Sequence, residues 1–206
     1  MQALDNIKKK VIEMSKLALR MWQATNQAFM EHDLGLLSKV LEEENKLNNL
    51  EKEITSDLIE LSRLTSNQAE RARAIVYADI AGDLELIGDY CKDILERVQI
   101  KIEEKLLFSD DAVKEYEDLY HKTEEALNEA TCVLERPNLT LGESALKDTE
   151  YLDGLVDEYR ARHNQRLIDG ICSPLACNMF LNMLDFTAAV YRHAKKIAKG
   201  LVKIKE

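Results

Sequence analysis

Apolar residues recur at every third or fourth position along most of the chain, which is the spacing of one face of an α-helix. Glycine, proline and helix-capping residues interrupt this pattern at five places. The pattern predicts six long helices, over residues 3–31, 34–63, 67–106, 110–135, 143–168 and 174–204. The chain has only 7 glycines and 2 prolines in 206 residues, a composition that also favours an all-α fold.

The six predicted helices form two similar sets of three. Residues 47–50 resemble residues 152–155, and residues 89–94 align with residues 192–197 in the second half of the chain. We therefore expect two tandem three-helix bundle repeats with antiparallel helices, covering residues 1–107 and 108–206.

The third predicted helix carries a line of carboxylates opposite its apolar face. Glu85, Asp89 and Asp93 follow one another at i+4 spacing, and we call these three residues the acidic ridge. Like charges at this spacing repel, so a bound cation or basic side chains are expected to compensate them. A solvated face of an acidic protein is the alternative interpretation. Clustered carboxylate oxygens would suit a hard divalent or trivalent cation.

Charge separates the last helix from the rest of the chain. The formal net charge is -10, from 38 acidic and 28 basic residues, which makes the phosphate backbone of nucleic acids an unfavourable partner. The last predicted helix is nevertheless basic, and we call four of its residues the basic patch: Arg192, Lys195, Lys196 and Lys199. These cations either complement the C-terminus of their own helix or dock on anionic lipid head groups or an acidic partner.

The four cysteines are scattered along the chain: Cys91, Cys132, Cys172 and Cys177. Most lie at apolar helical positions, as small buried hydrophobes in a reducing compartment do. A zinc site could combine the last two cysteines with His163 or His193, but the absence of a C-x-x-C pair argues against it. His121 and His163 lie on charged helices and are predicted to be at the surface.

Several functional classes lack their sequence signals. The chain has no phosphate-cradling glycine loop, no H-E-x-x-H motif and no nucleophile elbow, so catalysis is not expected. A metal-storage protein or metal-dependent enzyme and a purely structural helical scaffold remain the alternatives. No stretch approaches the roughly 20 apolar residues of a membrane-spanning helix, and the first ten residues lack the apolar segment of a secretory signal. A cytoplasmic protein is expected.

Two segments resemble a known family. Residues 83–94, Asp-Leu-Glu-Leu-Ile-Gly-Asp-Tyr-Cys-Lys-Asp-Ile, resemble the signature of PhoU-type phosphate-uptake regulators. Residues 166–174 resemble the link before the last helix in the PhoU-like cytosolic tails of sodium/phosphate cotransporters. The resemblance implies a regulator that docks on a membrane phosphate transporter or its signalling partners, at the inner face of the plasma membrane, and it is compatible with a homo-oligomer. It does not imply an enzyme.

The resemblance also implies a metal site in the first repeat. Members of this family are similar in carrying Glu/Asp-x-x-x-Asp pairs that bind metal clusters, and Glu85 and Asp89 match such a pair. Asp93 replaces the usual asparagine, and Glu44 on the second helix occupies an acidic position that could complete the ligand shell. Iron, zinc, magnesium and calcium are the candidate ions.

The second repeat departs from the family pattern. Ala188, Arg192 and Lys196 stand where the two acids and the asparagine are expected. A metal is therefore not expected there. We predict instead that Arg192 and Lys196 pair with Asp148 or Asp153 of the fifth helix, as attached substitutes for a bound cation.

Overall fold

The computed structural model describes residues 2–136 and 151–202, and within them the chain is helical and contains no strand. The helices are α1 (Gln2–Glu31), α2 (Gly35–Leu64), α3 (Gln68–Glu103), α4 (Asp110–Glu135), α5 (Tyr151–Ile168) and α6 (Pro174–Val202). The predicted all-α class and the helix order are confirmed. Residues 143–150 of the fifth predicted helix, and 203 and 204 of the last, lie outside the described residues.

Capping side chains start two of the helices close to the predicted breaks. Asn67 Oδ1 accepts hydrogen bonds from two backbone N–H groups of the first turn of α3, at 3.0 and 3.4 Å. Ser109 Oγ accepts one from the first turn of α4, at 3.3 Å. The end of α3 was predicted at residue 106, but the helix ends at Glu103. Lys105 has a φ of 51°, a left-handed conformation that does not continue a helix.

Two helices hold the centre of the fold. Helix α3 packs against α1, α2 and α6, while α6 packs against α3, α4 and α5. The predicted apolar stripe of α3 is buried in the core that both halves of the chain share: Ile80, Leu84, Ile87, Cys91, Ile94 and Val98. In the described part of the chain, no helix has an apolar stretch long enough to cross a membrane.

A glycine lets α3 approach α2 closely beside the acidic ridge. A Cβ atom placed on Gly88 would lie 3.4 Å from Leu47 Cδ2 and 3.5 Å from Met21 Cε, so larger side chains would push these helices apart. Leu47 is fully buried, and it stands next to Asn48 on α2. The acidic ridge is therefore held against α2.

Candidate functional site

The acidic ridge lies at the boundary between α2 and solvent. Glu85, Asp89 and Asp93 are half-buried on successive turns of α3. Glu44, which the resemblance placed near them, is buried on α2 with 9% of its surface exposed. These carboxylates are thus less hydrated than those of a fully solvated face.

The carboxylates raise one another's pKa. Burial raises the pKa of Glu85, and the negative charges of Asp89, Glu51 and Glu44 raise it further. Burial, followed by the charge of Glu44, likewise raises the pKa of Asp89, while Lys92 opposes the shift. Positive charge placed among these groups would therefore be favourable. Glu51 was not predicted to belong to this site, although it stands seven residues after Glu44 and so shares its face of α2.

The oxygen donors around the ridge suit a hard cation. Glu44 Oε1 accepts a hydrogen bond from Asn48 Nδ2 at 2.9 Å and lies 4.0 Å from Lys92 Nζ. Asn48 Oδ1 is buried and has no hydrogen-bond partner among the described residues. Carboxylate and amide oxygens of this kind are ligands for magnesium, calcium or ferric iron. Glu44, Asn48, Glu85 and Asp89 offer oxygens of this kind, and a metal site formed by them with Asp93 stays a prediction.

The ridge carboxylates do not converge on one point. Among the described residues, one group of three histidine, cysteine or acidic side chains has its ligand atoms within 4.8 Å of one another. That group contains no ridge residue. A cation shared by Glu85, Asp89 and Glu44 would therefore require their side chains to rotate toward it.

The corresponding face of the second repeat is paired internally. Arg192 Nη1 lies 2.9 Å from Asp153 Oδ1 on α5, which confirms the predicted pair. Lys196 Nζ lies 2.7 Å from Asp83 Oδ1 on α3, a partner that was not predicted. His193 Nδ1 lies 2.9 Å from the same oxygen. Asp83 is only 3% exposed, which explains why two basic groups of α6 gather around it. Asp148 lies outside the described residues.

One member of the basic patch does not face outward. Lys195 is buried, its Nζ lies 3.5 Å from Glu129 Oε2 on α4, and it lies 5.2 Å from the centroid of the Tyr191 ring. The prediction that Lys195 contacts lipid or a partner is therefore wrong, because its side chain is used in packing against α4. Arg192, Lys196 and Lys199 are exposed.

Of the two histidines predicted at the surface, one is exposed and the other is buried. His121 is exposed, as predicted. His163 was predicted at the surface, but it is 1% exposed and its ring stacks on that of Phe180, with centroids 4.1 Å apart. Charged neighbours along α5 suggested exposure, yet the face of α5 that carries His163 packs against α6.

The comparisons with known proteins agree with this architecture. The PhoU domain profile matches residues 11–98. The chain is 24% identical over 199 residues to the Synechocystis protein named phosphate-specific transport system accessory protein PhoU homolog, covering 96% of this chain and 84% of that protein.

Two crystal structures share the fold over nearly the whole chain. PhoU from Pseudomonas aeruginosa superposes with a TM-score of 0.93 at 17% identity, covering 98% of this chain and 97% of that one. The phosphate transport system regulatory protein PhoU from Streptococcus pneumoniae superposes with a TM-score of 0.86 at 14% identity, covering 98% and 94%. Residues 11–98, which include Glu44 and the whole acidic ridge, thus match the PhoU domain, in a chain whose described residues have the fold of PhoU proteins.

Proposed function

We propose that this chain regulates phosphate transport by docking on a phosphate transport system or on its signalling partners. The observation that carries this proposal is the PhoU domain match over residues 11–98, extended by the full-length fold likeness to PhoU proteins. The names of the relatives describe accessory and regulatory proteins of phosphate transport. The role proposed here is accordingly that of a binding protein and not of an enzyme.

The acidic ridge is the proposed point at which the chain responds to a ligand. Glu85 and Asp89 have raised pKa values because burial and neighbouring carboxylates disfavour their ionised forms. A metal ion, or a basic side chain of the transporter, would stabilise those forms. Binding at the ridge would thereby favour whichever arrangement of α2 and α3 brings the carboxylates together.

The exposed part of the basic patch supports a second contact. Arg192, Lys196 and Lys199 lie on one helix at the surface, and lysines near an anionic bilayer each contribute about 1 kcal/mol. Two of the three already have carboxylate partners in the fold, so this contact would be weaker than the composition of the helix suggests. The likeness of residues 166–174 to cotransporter tails stays a prediction.

Phosphate uptake by cells that carry either the wild-type chain or a variant tests this proposal. Deletion of the gene is expected to change the uptake rate, and wild type is expected to restore it. Asp89→Asn should fail to restore it, because it removes a ridge charge. The matched control is Glu96→Gln, which removes one negative charge from the same helix at an exposed side chain outside the ridge. If both variants restore uptake equally well, the ridge has no part in regulation.

Metal analysis of the purified proteins separates the two kinds of ridge ligand. If the ligand is a metal ion, wild type and Glu96→Gln should retain bound metal that Asp89→Asn has lost. If the ligand is a basic side chain of the partner, all three proteins should lack ridge metal while Asp89→Asn alone binds the transporter more weakly. A chain whose deletion leaves phosphate uptake unchanged would contradict the proposed function itself.

A further inference from the structure

Soft metal ligands converge at the corner between α5 and α6, away from the acidic ridge. Ligand atoms of His163, Cys172 and Cys177 all lie within 4.8 Å of one another. Among residues 2–136 and 151–202, no other three histidine, cysteine or acidic ligand atoms lie this close together. The three residues come from a helix, a link and the next helix, so the cluster depends on the tertiary fold.

The local sequence explains how the corner brings the ligands together. Gly170 has a φ of 71°, the left-handed conformation that ends a helix without Cβ strain. Ser173 then caps α6, with its Oγ accepting a hydrogen bond from a backbone N–H of the first turn at 3.2 Å. Cys172 immediately precedes this cap, and Cys177 lies in the first turns of α6. The chain therefore reverses tightly and returns both thiols to His163.

His163 has the properties of a ligand. Its ring is buried against Phe180, and its Nε2 atom is buried without a hydrogen-bond partner in the described structure. Burial, followed by the charge of Arg166, lowers the pKa of His163 to about 4, so the imidazole is neutral at pH 7. A neutral ring nitrogen enclosed with two thiols is a favourable donor for a metal ion.

The charges around the cluster would balance when a divalent ion is bound. Arg166 pairs with the buried carboxylate of Glu115 through both of its terminal nitrogens, so that pair is neutral. Cys172 is half-buried and Cys177 is buried, and both are free thiols. Two thiolates and one divalent cation are also neutral together. Loading the cluster would therefore leave no net charge in the core.

We infer that His163, Cys172 and Cys177 form a binding site for a zinc ion. Two thiolates and an imidazole select a soft d¹⁰ cation, and three protein ligands would leave the fourth tetrahedral position open to water. The two thiol protons leave to solvent as the zinc–sulfur bonds form.

Arg166 would respond to zinc binding. Its guanidinium donates to His163 Nδ1 at 3.1 and 3.3 Å, which places the proton of the neutral ring on Nε2. Coordination through Nε2 moves that proton to Nδ1. Arg166 then keeps its bonds to Glu115 alone, so zinc occupancy would be coupled to the packing between α4 and α5.

Metal titration of the full-length reduced chain tests the inference. Zinc is titrated against a chromophoric chelator, and cobalt is used as a spectroscopic substitute whose thiolate charge-transfer absorption reports sulfur ligation. Wild type should bind one equivalent and show that absorption. Cys172→Ser should reduce the absorption, since only the Cys177 thiolate remains, and should weaken zinc binding by more than the roughly 10-fold to 100-fold that loss of an outer-shell partner costs. The matched control, Cys132→Ser, removes an exposed cysteine far along the chain and should behave as wild type.

The remaining outcomes are also decisive. Because Cys172 is half-exposed, its serine variant is expected to fold even if the same change at buried Cys177 does not. Equal zinc affinity in wild type and Cys172→Ser would overturn the inference. A reduced protein that binds no zinc would also overturn it. Formation of a disulfide between the two thiols in air would not rescue the inference if the reduced protein binds no zinc. The ridge variant Asp89→Asn should keep the cobalt absorption, so this site and the ridge fail or succeed independently.

Discussion

In the two predicted repeats, α3 and α6 are the corresponding third helices, yet their outward faces differ in how charge is compensated. On α3, Glu85 and Asp89 lie among further carboxylates that raise their pKa values. On α6, Arg192 stands at the position of Asp89 and pairs with Asp153 at 2.9 Å. The first repeat thus keeps a negative face that favours an external positive ligand, whereas the second supplies the positive group covalently.

This difference assigns separate roles to the repeats. A pair as exposed as Arg192 and Asp153 contributes no more than about 1 kcal/mol, so it replaces a ligand without fixing the fold. The contacts of Asp83 with His193 and Lys196 are more consequential, because they join α3 of the first repeat to α6 of the second around a buried carboxylate. Asp83 therefore ties the helix that carries the ridge directly to α6.

Acidification should produce the largest contrast between the repeats. His163 has its pKa lowered from 6.5 to about 4, so the unfolded chain takes up a proton in this interval that the folded chain excludes. Stability should therefore fall as the pH drops from 6.5 to about 4, by up to about 3 kcal/mol. Urea denaturation of the metal-free protein across this range measures the effect. Ridge carboxylates with raised pKa values act in the opposite direction, since protonation relieves their repulsion.

Two histidine variants isolate that contribution. His163→Asn should flatten the dependence of the unfolding free energy on pH between 4 and 6.5, because the buried titrating group is gone. His121→Asn changes an exposed histidine and should retain the wild-type dependence. Identical profiles for both variants would show that His163 titrates in the folded protein much as it does in the unfolded chain.

The contact between repeats should give the next largest effect. Lys196→Met removes one of the two basic groups on Asp83, leaving a carboxylate that is 3% exposed with His193 alone. We expect a loss of about 1–2 kcal/mol in the free energy of unfolding. Lys199→Met, an exposed lysine on the same helix, should change it little. Equal stability of the two variants would mean that Lys196 does not stabilise the buried charge.

Periodicity and punctuation were sufficient to predict the helices, because each depends on residues close in sequence. The apolar face of α3, which is buried as predicted, is an example. The partners of buried polar groups could not be predicted in this way. Lys196 pairs with Asp83, which is 113 residues away in sequence, and only the packing of α3 on α6 brings the two together. The cluster of His163, Cys172 and Cys177 was considered in the sequence but judged improbable for a related reason, since a C-x-x-C rule does not detect thiols joined by a helix corner.

The smallest predicted effects have opposite signs in the two repeats. In metal-free protein at pH 7, Asp89→Asn should stabilise the fold by a few tenths of a kcal/mol, because it relieves repulsion with Glu85 and Glu44. Asp153→Asn should destabilise it by up to about 1 kcal/mol, because Arg192 loses its partner. Denaturant titrations of both variants beside wild type, in the presence of a chelator, measure these changes.

The dependence on pH and on metal distinguishes relief of repulsion from a general effect of the asparagine. The advantage of Asp89→Asn should shrink as the pH falls toward 4, since protonation then relieves the same repulsion in wild type. If a cation that binds the ridge is added at neutral pH, wild type should become more stable than Asp89→Asn, because the ion stabilises only the chain that retains the carboxylate. A stabilisation that persists unchanged under both conditions would show that the ridge carboxylates do not repel one another, and the contrast between the two repeats would then be one of sequence alone.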